Sequence, residues 1–214
     1  MIILAHRGYW KKLSERNTEE ALKKAFVKGY GIESDIRDYA GKLVISHDPA
    51  NKNCMPAEEL FKELAKYNNK LCFAINIKAD GLGEELSKLL KKNNITNYFC
   101  FDMSVPQMIY YCENNFNVFA RQSEYESEPL SLYKESQGVW IDAFYDDSWI
   151  TEELISKHIK NGKKICLVSP ELHSFPYLEF WKKLKSFDID YSKIILCTDV
   201  PDEANEFFNK ELIG

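Results

Sequence analysis

Short apolar runs alternate with amphipathic stretches eight times along this chain of 214 residues, and that alternation restricts its architecture more than any other feature. The runs are Ile2–His6, Gly31–Asp35, Leu71–Lys78, Tyr98–Asp102, Asn117–Gln122, Gly138–Phe144, Lys164–Ser169 and Lys193–Asp199, and they have the length and side-chain types of strands. Helical spacing of apolar residues marks Thr18–Lys28, Pro56–Tyr67, Leu82–Lys92, Val105–Asn114, Thr151–Lys160, Pro176–Lys185 and Asp202–Asn209, with a weaker pattern over Ser127–Glu135. Thr18, Ser104, Thr151 and Asp199 stand where caps are expected, each ahead of acidic residues or a proline. Strand and helix alternating in this way give a parallel sheet. Eight units in one chain of this length predict an α/β fold, a single (β/α)8 TIM barrel formed by one domain, 1-214. An open doubly wound sheet is the alternative, but no glycine-rich phosphate turn follows the first run, where Gly8 stands alone. Lys42–Ser46 interrupts the alternation and reads as a short hairpin excursion after the second strand.

Composition bears on partners. A net charge of −5, with lysines interleaved among acids as in Glu19/Lys23 and Glu20/Lys24, argues against nucleic acid, which is bound through clustered Lys and Arg. No apolar run approaches the roughly 18 residues of a membrane span, and the first strand begins at Ile2, leaving no room for a signal peptide. A cytoplasmic protein is therefore expected. The six cysteines form no CxxC pair, and four lie in strand-like segments, so they read as reduced, buried side chains.

In a barrel of this kind chemistry sits where strands end. The residues there are His6 and Arg7, Glu33 with Asp35, Asn76 with Lys78, Asp102, Arg121, Asp142, Ser169 with Glu171 and His173, and Asp199. Side chains two apart on a strand share a face, so Glu33 and Asp35 point together. Two carboxylates buried side by side raise each other's pKa, and a hard divalent cation, magnesium or calcium, relieves this; the alternative is that Glu33 and Asp35 form salt bridges to Lys78 and Arg7. His6 and His47 supply two imidazoles, one to accept a proton and one to give it, as displacement at a phosphodiester requires.

The order of these pieces resembles the glycerophosphodiester phosphodiesterase family. His6-Arg7-Gly8, Arg16-Asn17-Thr18, Gly31-Ile32-Glu33-Ser34-Asp35 and His47-Asp48 are similar to its HRG, PENT, E-x-D and HD segments, densely over residues 3–48. Ile75-Asn76-Ile77-Lys78 and Thr198-Asp199-Val200-Pro201 resemble its later E-I-K and T-D-x-P segments. The resemblance implies His6 and His47 as the acid–base pair, Arg7 and Lys78 near the phosphate, and a magnesium or calcium ion at Glu33, Asp35 and Asn76. It implies a small glycerophosphodiester substrate, cleaved to an alcohol and a phosphomonoester, and a place in lipid metabolism. Asn76 stands in place of a Glu, and Arg16 in place of the Glu of PENT, so an inactive phosphate-binding barrel and a lyase releasing a cyclic phosphate are the alternative readings.

Overall fold

The computed structural model describes residues 1–209, which form two compact units. In the first, Leu4–Val118, parallel strands β1 (Ile2–His6), β2 (Gly31–Tyr39), β5 (Phe73–Ile77) and β6 (Tyr98–Phe101) lie in that order. The hairpin strand β3 (Lys42–Ile45) runs antiparallel to β2, with the short β4 (Met55–Pro56) beside it. Helices α1 (Glu19–Val27), α2 (Ala57–Ala65), α3 (Gly83–Lys92) and α4 (Val105–Glu113) follow the parallel strands. The second unit, Met1–Ile3 with the chain from Phe119 onward, holds parallel β7 (Phe119–Gln122), β8 (Gly138–Ile141), β9 (Lys164–Val168) and β10 (Ile194–Thr198). Its helices are α5 (Glu152–Lys160), α6 (Leu178–Lys185) and α7 (Pro201–Asn209). Eight parallel strands and the hairpin after β2 thus stand where the sequence pattern places them.

Strands β5, β8 and β10 are buried along their whole length, as parallel strands covered on both faces require. In the first unit Leu22 and Phe26 of α1 and Phe61 and Leu64 of α2 are buried, and the Phe61 ring meets Phe73 edge-on at 5.6 Å. Each such side chain contributes roughly 1.5–3 kcal/mol through the apolar area it removes from water. Thr18, Ser104 and Thr151 cap their helices as expected, accepting from Ala21, Gln107 and Leu154 N–H. Helix α7 begins at Pro201, two residues beyond Asp199, and the Thr198 hydroxyl accepts from the Val200 N–H (3.1 Å). Cys72, Cys100, Cys166 and Cys197 are buried thiols, and among the described residues no helix is long and apolar enough to cross a membrane.

The helix expected over Ser127–Glu135 does not form. Pro129 brings no N–H to a helical ladder, and Leu132 takes a left-handed φ of 51°, which a continuing α-helix cannot contain. Side chains tie the segment down in place of a ladder. Lys163 Nζ donates to Ser136 O (2.5 Å) and lies over the Tyr133 ring, while the Tyr133 hydroxyl is 2.8 Å from His158 Nδ1. Fully buried His158 also meets Gln122 Oε1 at 2.8 Å through Nε2. An amide oxygen only accepts, so Nε2 carries a hydrogen, and in the neutral ring Nδ1 is placed to accept from the Tyr133 hydroxyl.

Burial holds the His158 pKa below its usual 6.5. Below that pH the unfolded chain takes a proton there that the folded chain refuses, so this contribution to stability is present above about pH 6.5 and lost as pH falls. Urea unfolding at pH 5.5 and 7.5 is expected to show a smaller loss of stability at low pH for His158→Gln than for the wild type. Equal losses would show that His158 is not held neutral.

Candidate active site

Strand β1 ends at His6 because the chain turns sharply there, with φ of 54° at Arg7 and 94° at Gly8. Gly8 has no substitute at this turn, since a Cβ would stand 2.7 Å from the Ala21 carbonyl carbon of α1. The turn is pinned to β2 by Arg7 N–H donating to Glu33 O (2.9 Å). Parallel register then sets His6 beside Glu33 and Asp35 beside Asn76. Because alternate residues share a face, His6, Glu33, Asp35 and Asn76 all point to the same side of the sheet, at the carboxyl ends of its strands. All four are at most 8% exposed.

Asp35 is the hub. Its Oδ2 is 3.1 Å from Arg7 Nε and accepts from Asn17 Nδ2 (2.8 Å), and its Oδ1 is 3.5 Å from Lys78 Nζ. Lys78 is shared with Asp102, whose Oδ2 is 3.2 Å away and whose backbone has a left-handed φ of 72°. Glu33 is held differently. Its ion contact is His6 Nε2, at 3.8 Å from Oε2, and Asn76 donates a hydrogen bond to its carboxylate. Burial first, and the Asp35 charge second, push its pKa above the usual carboxylate range, against the opposing pull of Arg7 and Lys78. Salt bridges thus answer the charge of Asp35 but leave that of Glu33 poorly answered.

The donor set fits a hard cation. Glu33 Oε2, Asp35 Oδ1 and Asn76 Oδ1 are buried oxygens without a hydrogen-bond partner, and oxygens of this kind are what magnesium or calcium coordinates. Among the described residues no group of three His, Cys, Asp or Glu could hold a metal, and these three oxygens belong to two carboxylates and one amide.

His47 lies on the loop after β3, with its side chain 45% exposed and Nδ1 2.9 Å from Asp48 Oδ1. That loop is tied to β2 by Ser46 N–H to Asp35 O (3.0 Å) and by Arg37 Nε to His47 O (3.1 Å). The structure therefore gathers His6, Arg7, Glu33, Asp35, Asn76 and Lys78 into one contact network, and His47 joins it through the backbone one residue from Ser46. Asn17 and the Lys78 partner Asp102 are the members that sequence reasoning gave no role. The signal for Asn17 was its place in Arg16-Asn17-Thr18, where asparagine tolerates the φ of 59°.

Glu171 and His173, in the second unit, have partners of their own. Glu171 accepts from the Ser169 and Thr198 hydroxyls (2.5 Å each) and Asp199 N–H (3.0 Å), joining the ends of β9 and β10. His173 Nε2 is 2.7 Å from Asp142 Oδ1, a contact that raises the imidazole pKa.

No family model matches the chain, and no curated protein does. Solved structures do. A glycerophosphodiester phosphodiesterase from Agrobacterium tumefaciens shares 17% identity over 94% of this chain and 97% of its own, with a TM-score of 0.65. An Oleispira antarctica phosphodiesterase in complex with the product sn-glycerol-3-phosphate shares 14% over 98% and 97%, at 0.71. A glycerophosphoryl diester phosphodiesterase from Parabacteroides distasonis shares 14% over 96% and 85%, at 0.68. At this identity the likeness establishes the fold. The chain has the α/β fold of these phosphodiesterases over nearly its whole length.

Proposed function

We propose that the chain is a metal-dependent phosphodiesterase that hydrolyses a small glycerophosphodiester or a related soluble phosphodiester to an alcohol and a phosphomonoester. The observation that carries this reading is the row of His6, Glu33, Asp35 and Asn76 on one sheet face, with three buried oxygens left without hydrogen bonds. The shared fold with an Oleispira phosphodiesterase holding sn-glycerol-3-phosphate supports the substrate class.

Glu33, Asp35 and Asn76 would hold a magnesium or calcium ion. Such an ion supplies positive charge against the phosphoryl oxygens as negative charge grows on them. Arg7 and Lys78 add two cations at the same place. Both now rest on Asp35, and neutralisation of that carboxylate leaves them available to phosphate oxygens. His6, steadied by the Glu33 carboxylate 3.8 Å away, exchanges a proton with the attacking or departing oxygen. His47 takes the complementary part: Asp48 engages Nδ1 and leaves Nε2 for the substrate. This pairing of roles makes hydrolysis the preferred reading over a purely phosphate-binding module.

Position 76 offers a direct check on the ligand set. Asn76→Glu adds a third carboxylate, and calorimetric titration with magnesium is expected to show binding about tenfold or more tighter, because affinity in oxygen-ligand sites follows ligand charge. An unchanged dissociation constant would remove position 76 from the ligands. The function itself is tested by incubating purified protein with magnesium or calcium and a panel of glycerophosphodiesters, where phosphomonoester release that chelation abolishes is the expected result.

A further inference from the structure

We infer that Asn17 is a positioning residue that aims Asp35 at the cation, an inference that rests on the metal-dependent reading above. Asn17 lies outside every strand and helix, between the end of β1 and the start of α1, and its backbone N–H and both ends of its side-chain amide are engaged. Its backbone N–H donates to Arg7 O (2.9 Å), its Nδ2 to Asp35 Oδ2 (2.8 Å), and its Oδ1 accepts from the Ser34 hydroxyl (2.7 Å). The orientation of the amide is dictated by chemistry. A carboxylate only accepts, so the NH2 end must face Asp35, and the oxygen then faces Ser34, which has a hydrogen to give.

The consequence falls on which oxygen of Asp35 remains available. Asn17 and Arg7 together occupy Oδ2, so the carboxylate cannot rotate without losing a hydrogen bond and a charge contact. Oδ1 is left buried and without a hydrogen bond, with Lys78 Nζ 3.5 Å away, beside Asn76 in the register of β2 and β5. Ser34 closes the clamp from the opposite face of the same strand, so one residue of the loop after β1 fixes both sides of β2 at the site. Partners that orient a ligating group in this way are typically worth about 10- to 100-fold in metal affinity.

Asn17→Gly tests this, because glycine accepts the left-handed backbone while losing the amide. Magnesium titration by calorimetry on the wild type and the variant, each checked for folding by circular dichroism, is expected to show about 10- to 100-fold weaker binding for Asn17→Gly. Activity at saturating magnesium is expected to recover most of its wild-type kcat, a separation that general damage to the fold would not produce. Ser34→Ala provides the second variant. It leaves the loop backbone and both carboxylates untouched and is expected to weaken binding about fivefold, the loss of one supporting hydrogen bond. Equal magnesium affinity in the wild type and both variants overturns the role of Asn17 while leaving the metal-dependent reading intact. A wild type that binds neither magnesium nor calcium overturns both.

Discussion

Replacement of His6 by alanine is expected to lower kcat/KM for a glycerophosphodiester by about 10²- to 10⁴-fold, the range in which a positioned acid or base acts. His47→Ala is expected to fall in the same range, and the double variant to lose little beyond either single one, because the two imidazoles serve one proton circuit and removing either breaks it. The settings of the two residues predict different side effects. His6 is buried against Glu33, so its removal also alters the carboxylate environment and is expected to change magnesium affinity. His47 is exposed on its loop with Asp48 as partner, so its variant is expected to bind magnesium as the wild type does. Steady-state kinetics with calorimetry on the same preparations checks both statements. Full activity in either variant would exclude that histidine from the chemistry.

Glu33→Gln is expected to move stability and function in opposite directions. The carboxylate is 2% exposed, stands beside Asp35, and has its pKa raised by burial and by that neighbour. In metal-free protein near neutral pH it therefore costs stability, and an isosteric neutral amide removes that cost. The metal-free melting temperature is expected to rise, by about 2–4 °C for each kcal/mol relieved in a chain of this size. Magnesium affinity is expected to fall by at least about tenfold, and turnover with it, since the cation loses a charged ligand. A variant less stable than the metal-free wild type would mean that the charge of Glu33 is already compensated. Strain of this kind is characteristic of functional sites, where a group is kept for what it will bind.

Much of this was legible in the sequence because it depends on periodicity. Strand β1 has the bounds its apolar run suggests, and the β2 segment runs on to Tyr39 because it continues into the pairing with β3 through Ile36 and Ile45. His6, Glu33, Asp35 and Asn76 stood out as polar residues at the ends of buried strands, and the two-residue alternation put Glu33 and Asp35 on one face, to which the register of β2 and β5 adds Asn76. Contacts between side chains from distant segments have no periodic signature. The Asn17 clamp depends on a left-handed backbone in a loop, the Asp102 contact on how far Lys78 reaches, and the failed helix at Ser127–Glu135 on Pro129 and Leu132 overriding apolar spacing. Arg7 and Lys78 both lie against Asp35 while His6 lies against Glu33, a difference of a few ångströms that no periodic pattern carries.

Phosphorus NMR of a glycerophosphodiester incubated with the purified protein and magnesium or calcium follows the proposed hydrolysis itself. The diester resonance is expected to give way to that of a phosphomonoester, chelation to stop the conversion, and Glu33→Gln to abolish it. A diester left unchanged across the panel at saturating cation would contradict it, as would accumulation of a cyclic phosphate as the final product.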